Sequence, residues 1–377
     1  MAERPGRRVV LAANSSWNIV NFRHGLIRAL KAEGYDPLVI APREASTEQR
    51  IAELGVEWLE VPVDRSGMNP LADLRLIARY RRLLKRTRPA AFLGFTIKPN
   101  IYGAIAARSL GIPVIANISG LGTVFIKRGL LLALVTRLYR LALSNAAVVF
   151  FQNPEDRELF LERGIVRAGQ ARLIPGSGVD PQGFAAAPLP EGPPMFLLVA
   201  RLLGDKGVRE FVAAARSLRA ELPQARFQLL GPLDEGNRTA IARSELDRWV
   251  NDGDVEYLGE THDVRPFVAA ATAIVLPSYR EGLPRTLLEA GAMGRPLIAT
   301  DVPGCRQVVE EGLNGFLSRA RDAESLASAM RRLAQLDLAR IRAMGAESRR
   351  KVVSEYSEAV VFRAYLDALE KVAAHRS

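Results

Sequence analysis

Residues 278–301 read SYREGLPRTLLEAGAMGRPLIATD, and the order of signals in and around them decides the fold class. The apolar run AIVLP (273–277) just ahead predicts a strand and Ser278 to Leu283 a loop. Pro284 takes the first helical position, where its missing N–H costs nothing, Gly294 ends the helix, and PLIAT (296–300) is a second strand. Strand, helix, strand is the unit from which parallel sheets are wound. Two glutamates, Glu281 and Glu289, bracket the helix start. Glu289 lies about 7 to 8 Å along the axis from Pro284, at about 1.5 Å per residue. Between them the first-turn N–H groups carry about half a positive charge, a natural seat for phosphate. A nucleoside diphosphate sugar has this layout: a ribose diol for one carboxylate, a diphosphate for the helix end, sugar hydroxyls for the other. The plain alternative for Glu289 is a solvated helical residue, but Leu287, Leu288, Ala290 and Ala292 leave it little polar face. Gly282, Leu283, Thr286 and Leu287 flank the same helix start and count with the donor contacts.

The unit repeats in both directions. Strand candidates upstream are RVVLAA (7–12), DPLVIA (36–41), VEWLEV (56–61), AAFLGF (90–95), PVIANI (113–118), AVVFFQ (147–152) and ARLIP (171–175). A Gly- and Pro-rich stretch without period follows, and then MFLLVA (195–200), RFQLLG (226–231), VEYLG (255–259) and the two strands above. The expected fold class is α/β, two doubly wound Rossmann-like domains facing across a cleft. The expected divisions are 1–175, a linker at 176–194, 195–352, and a C-terminal helix at 353–377 packing back on the first domain.

In such sheets ligands bind outside the carboxyl ends of the strands. The loop RLLGDKG (201–207) follows a strand and precedes a helix, so Arg201 and Lys206 put two cations at a helix N-terminus. Charge-assisted hydrogen bonds of that kind contribute about 1.5 to 3 kcal/mol each. YLGE (257–260), with Gly259, ends a strand where backbone groups could read a nucleobase. The acidic turn DGD (252–254) precedes a strand, on the wrong side for a metal site. His24, His262 and His375 are too scattered for a metal or triad cluster, and nothing marks Cys305 as a nucleophile.

With 377 residues, 48% of them apolar, the chain can bury two cores. Its single cysteine excludes an intrachain disulfide framework and fits a reducing compartment. The early apolar run VVLAA is too short for a signal peptide, and no uncharged run reaches the roughly 18 residues of a membrane span. A cytoplasmic protein is expected. The net charge of +11 is uneven: residues 1–185 hold 26 Lys+Arg against 15 Asp+Glu, and residues 186–377 hold 26 of each. The halves therefore face different partners.

The motifs VARLLGDKGV, PSYREGLPRTLLEAGAMGRPLIATDVPG and GLNGFL together resemble the carboxy-terminal domain of retaining family 4 glycosyltransferases, which have the two-domain GT-B fold. The likeness runs over almost the whole chain. NSSWNIVNFRHGLIRALKAEGY and ISGLGTVF resemble the subset that extends sugar chains on undecaprenyl diphosphate. The resemblance places Arg201 and Lys206 on the donor diphosphate, Glu289 on the ribose and Glu281 near the donor sugar, with Glu281, Arg201 and Lys206 as the catalytic set. It implies a UDP-sugar donor, that of an N-acetylhexosamine, a polyprenyl-diphosphate-linked acceptor, and neither a metal nor another cofactor. Acceptor contacts would fall on Asn14, Ser15 and Ser16, where many members have a Gly-Gly loop, and on Ser119 and Gly120, where many have a histidine.

Residues 127–143, KRGLLLALVTRLYRLAL, set Leu130, Leu131, Leu134, Leu138, Leu141 and Ala142 at helical spacing beside Lys127, Arg128, Arg137 and Arg140. Such a segment can lie in a membrane surface or pack as an ordinary core-facing helix. The cluster RYRRLLKRTR (79–88), with Arg81, Arg82, Lys85 and Arg86, adds basic charge to the same half. The expected location is the cytoplasmic face of the plasma membrane, peripherally bound to anionic lipid. A single aromatic and no reading motif in that cluster argue against nucleic acid. A sugar-nucleotide epimerase of the same fold and a lipid-bound non-catalytic protein are the alternatives.

Overall fold

A computed structural model describes residues 7–63, 69–120 and 130–374. The chain divides into two units: residues 1–177 together with 358–377, and residues 178–357. In the first unit the strands are β1 (Arg8–Ala12), β2 (Asp36–Ala41), β3 (Glu57–Glu60), β4 (Ala91–Gly94), β5 (Val114–Ile118), β6 (Val148–Phe151) and β7 (Ala171–Leu173). They form one sheet in the order β3-β2-β1-β4-β5-β6-β7, every neighbouring pair parallel. Both faces are covered, which is why the central strands read as unbroken apolar runs rather than alternating ones. On one face pack Tyr80 and Leu84 of the helix Pro70–Thr87, Tyr139 and Ala142 of the helix Leu130–Leu143, and Phe160 of the helix Pro154–Glu162. On the other pack Ile19, Leu26 and Leu30 with Val361, Tyr365 and Leu369 of the last helix, Glu358–Ala374.

The second unit holds β8 (Met195–Val199), β9 (Arg226–Leu230), β10 (Glu256–Tyr257), β11 (Ala273–Leu276), β12 (Leu297–Thr300) and β13 (Gly315–Ser318). Their order is β10-β9-β8-β11-β12-β13, again all parallel. In each sheet the winding reverses once, between β1 and β4 and between β8 and β11. A crevice opens at such a reversal, because the loops leaving the two strands run to opposite faces.

Residues 178–194, the aperiodic stretch, lie within the second unit. The Val179 N–H donates to the Tyr356 carbonyl at 3.0 Å, and the buried Arg295 guanidinium donates to the carbonyls of Ala187 and Pro188 at 2.8 and 2.7 Å. Scattered backbone and side-chain bonds rather than a strand ladder satisfy this backbone, so no periodic signal marks it. The helix Leu338–Glu355 runs through 353, and the chain returns to the first unit at Glu358.

The helix Arg285–Ala292 starts one residue later than its signals suggest: Pro284 is its N-cap, and Gly294, at φ +76°, follows its C-cap. The helix Leu130–Leu143 is mainly core-facing. Val135, Tyr139 and Ala142 are buried and Leu138 packs beside them, so the leucine stripe expected for a membrane face is split. Only Leu134 and Leu141 of the expected stripe are seen to face outward, at 47% and 52% exposure. The side chains of Leu130 and Leu131, together with Lys127 and Arg128, lie outside the described residues. No helix among the described residues is long and apolar enough to cross a membrane.

Candidate functional site

At the crevice between β8 and β11 the loops that follow the two strands carry Arg201, Lys206 and Glu281. The loop after β8 makes a tight turn at Gly204–Lys206 and enters the next helix through Gly207, at φ +73°. A Cβ at Gly207 would lie 2.1 Å from the Pro277 carbonyl oxygen, so only glycine permits the two loops to approach this closely. The Tyr279 N–H donates to the Asp205 carbonyl at 2.9 Å, a second tie. Across this junction Lys206 Nζ meets Glu281 Oε1 at 2.5 Å, the side chains 24% and 14% exposed. Lys206 and Glu281, assigned in sequence to separate parts of a ligand, are therefore one ion pair.

Arg201 extends from the same loop, half exposed, to Asp234 Oδ2 at 2.7 Å. Glu289 is nearly enclosed and takes a hydrogen bond from Arg285 Nε at 2.6 Å. Burial pushes its carboxyl up from the ordinary range, and Arg285 only partly opposes this. The Tyr279 hydroxyl donates to Glu210 Oε1 at 2.6 Å while the Arg321 guanidinium lies 4.6 Å from its ring centre. Burial, and then Glu210, push that hydroxyl up to about 12, so it remains a donor. Behind Glu281 the turn after β12 presses close: a Cβ at Gly304 would be 2.5 Å from the Gly282 carbonyl oxygen.

Several expected donor contacts are placed differently. Leu287 is fully buried and its N–H donates to the Pro284 carbonyl at 3.1 Å, while the Thr286 hydroxyl turns back to the Val199 carbonyl at 3.2 Å. The anion seat is thus narrower than the first-turn count suggests, because the turn closes on its own cap. Gly259, at φ +77°, serves a turn and accepts from Gly231 N–H at 2.8 Å. Gly282 and Leu283 do lie in the loop between Glu281 and the helix. Asp254 of the acidic turn is buried against Arg216 and Arg219. Cys305 is buried, which pushes its thiol above the reactive range. Among the described residues no three His, Cys, Asp or Glu side chains come together in a group able to hold a metal ion.

In the first unit the crevice lies between β1 and β4, and its hub is a segment that the sequence did not single out, FTIKPN (95–100). The Asn14 N–H donates to Thr96 Oγ1 at 2.9 Å, Ser119 Oγ to the Phe95 carbonyl at 3.3 Å, and Asn100 Nδ2 to the Asn117 carbonyl at 2.8 Å. Lys98 Nζ reaches Asp73 Oδ1 at 3.2 Å, and the Tyr102 hydroxyl donates to Asp73 Oδ2 at 2.7 Å. The loops after β1, β4 and β5 and the helix after β3 are thereby tied together. Of the expected acceptor residues, Asn14 and Ser119 stand at this edge, with Gly120 the last described residue before residue 121. Ser15 and Ser16 are corrected. Ser15 caps the first helix by accepting from Asn18 N–H, and Ser16, fully buried, donates to Glu44 Oε2 at 2.6 Å. Polar residues at a helix start serve the helix before they serve a ligand. Arg81, Arg82, Lys85 and Arg86 are all exposed along the helix Pro70–Thr87, and none has an acidic partner among the described residues.

The chain is similar to known proteins over both units. Residues 19–176 match the family described as Glycosyl transferase 4-like domain, and residues 193–336 the family described as Glycosyl transferases group 1. The chain is 26% identical to the N,N'-diacetylbacillosaminyl-diphospho-undecaprenol alpha-1,3-N-acetylgalactosaminyltransferase of Campylobacter jejuni, over 97% of this chain and 99% of that enzyme. It is 25% identical to the UDP-Gal:alpha-D-GlcNAc-diphosphoundecaprenol alpha-1,3-galactosyltransferase of Escherichia coli, over 79% of each. Anabaena HepE, solved in complex with UDP and glucose, superposes with a TM-score of 0.79 over 97% of this chain and 100% of its own, at 18% identity.

Proposed function

From the premise that the chain belongs to the family 4 glycosyltransferases of GT-B fold, we propose that it moves a sugar, an N-acetylhexosamine, from a UDP-sugar to an undecaprenyl-diphosphate-linked saccharide with retention of configuration, in polysaccharide assembly. The observation that carries this is the Lys206–Glu281 pair at the β8/β11 crevice, with Arg201 on the same loop as Lys206 and Glu289 on the helix that follows Glu281. Arg201 and Lys206 neutralise the diphosphate as its bond to the sugar breaks, Glu281 sets the sugar beside Lys206, and Glu289 holds the ribose. Retention follows from attack by the acceptor hydroxyl on the face that the diphosphate leaves, the departing phosphate oxygen taking the proton. No enzymic nucleophile is needed, and the protein works by positioning and by fixed charge.

The test is transfer from a panel of UDP-sugars to GlcNAc-diphospho-undecaprenol. One UDP-sugar should be consumed with elongation of the lipid-linked sugar, and the activity should survive EDTA, since two cations already face the diphosphate. Loss in EDTA restored by Mg²⁺ would require a metal. Epimer formation without acceptor would replace the transferase reading by the epimerase one.

We further place the enzyme peripherally on the cytoplasmic membrane face. The helices Pro70–Thr87 and Leu130–Leu143 cover the same face of the first sheet. Leu71 and Leu74 project from one at 65% and 62% exposure, ahead of the four free basic residues, and Leu134 and Leu141 project from the other beside Arg137. Each basic residue near an anionic surface contributes about 1 kcal/mol, screened beyond a Debye length. The protein should therefore float with anionic liposomes at low salt. Replacing Arg81, Arg82, Lys85 and Arg86 by glutamine should lower that binding at least about tenfold. Equal flotation of wild type and variant would remove this helix from the membrane contact.

A further inference from the structure

The segment 95–100 ties the edge loops of the first domain together, and one of its residues, Lys98, reaches a helix instead of a loop. Thr96 and the Phe95 carbonyl hold the loops after β1 and β5, and Asn100 holds the end of β5 itself. Lys98 instead faces Asp73, on the first turn of the helix Pro70–Thr87, and Tyr102 closes on the other oxygen of the same carboxylate. A π-helical turn, Pro99–Gly103, brings Tyr102 round to it. Such wide turns are rare and concentrate at functional sites. The Lys98 and Asp73 side chains are 15% and 11% exposed. A pair this enclosed is a poor stabiliser, since desolvation offsets the attraction, so its place at the strand ends calls for another reason.

The chemistry that remains after the internal bonds supplies one. With one proton directed to Asp73, the Lys98 ammonium keeps two N–H donors, and the carboxylate keeps lone pairs after accepting from Lys98 and Tyr102. Donors and acceptors stand side by side on a site of no net charge. A vicinal diol, whose hydroxyls both give and accept, matches that array; a phosphate would meet the Asp73 charge. We propose that Lys98, Asp73 and Tyr102 form the subsite that binds the sugar of the acceptor, and not its diphosphate. The inference rests on the transferase reading above. The position agrees with it: both elements lie at the carboxyl edge of the first sheet, and the helix that turns Asp73 inward carries Leu71 and Leu74 outward. A lipid-linked saccharide has this order, with its apolar and hydroxylated parts close together.

The test uses the full-length enzyme with GlcNAc-diphospho-undecaprenol as acceptor, and with methyl N-acetylglucosaminide and bare undecaprenyl diphosphate as competing inhibitors. Lys98→Met should raise the acceptor KM about tenfold, as expected for hydrogen bonds to a charged group. Donor KM, and the Tm rise given by UDP, should stay within about twofold of wild type by the same arithmetic. Inhibition by the methyl glycoside should weaken in parallel and inhibition by undecaprenyl diphosphate should not. Lys98→Arg, which keeps N–H donors, should recover part of the loss. The double variant Asp73→Asn with Lys98→Met leaves no unpaired charge and guards against misfolding; it should show the same acceptor defect. An unchanged acceptor KM overturns the proposal, as does equal weakening of both inhibitors, which would mark a diphosphate site. A matching rise in donor KM with a lowered Tm would make the trio structural. If wild type transfers to no sugar-bearing acceptor, the transferase reading falls, and this subsite with it.

Discussion

Lys206→Ala is expected to lower kcat/KM for sugar transfer by about 2 to 4 kcal/mol of transition-state stabilisation, as for other preorganised charges aimed at a leaving group. Part of the effect has a second origin. Lys206 is the partner of Glu281, whose carboxylate is 14% exposed, so the alanine leaves a nearly enclosed charge alone. A Tm measurement separates the two contributions. The double variant Lys206→Ala with Glu281→Gln should recover stability without recovering activity. Unchanged kcat/KM in Lys206→Ala would show that this loop does not meet the diphosphate.

Arg285→Met is expected to destabilise the fold by about 3 kcal/mol near neutral pH, the effect of removing one partner from a buried pair. Its consequence depends on pH in a definite direction. Burial already raises the carboxyl of Glu289 above the ordinary range despite Arg285, and without the guanidinium it rises further. A carboxyl raised in the folded state keeps its proton to higher pH there than in the unfolded chain. The stability is therefore fully present below the unfolded value and falls as pH rises through the folded one. Urea unfolding at several pH values should show the variant closest to wild type in acid and furthest from it above neutrality. A constant gap across that range would mean that Glu289 stays charged throughout, held by groups other than Arg285. UDP affinity should drop with it, because Glu289 loses the bond that orients it.

The parallel sheets were legible because both their faces are buried, so that β1, β4, β6, β8 and β11 stand out as continuous apolar runs. The carboxylates and cations of the second crevice were legible because they sit at fixed offsets from a strand end and a helix start. What could not be read is who meets whom. Lys206 and Glu281, Arg201 and Asp234, Tyr279 and Glu210 are joined by the strand order, and no periodicity carries a pairing across 75, 33 or 69 residues. Arg285 with Glu289 is the exception, a helical i,i+4 pair that the spacing alone could have disclosed. The hub of the first crevice left no signature, since a lysine and an asparagine after a strand look like any loop. Ser15 and Ser16 misled for a related reason: the hydroxyls suited to a ligand are also those suited to capping and buried bonding. In 127–143 leucines occur on more than one side of the helix, so the stripe could not say which side meets the core.

The return of residues 358–377 to the first unit sets an order on the birth of the molecule. The second unit is continuous from 178 to 357 and can close as soon as it has left the ribosome. The first unit cannot: one face of its sheet, around Val9, Leu11 and Phe150, waits for Val361, Tyr365 and Leu369. At about 5 to 20 residues per second, synthesis of the intervening segment keeps that apolar face open for on the order of ten seconds or more. The half of the chain made first is thus completed last, and through that interval its excess of positive charge is what holds it apart from its neighbours.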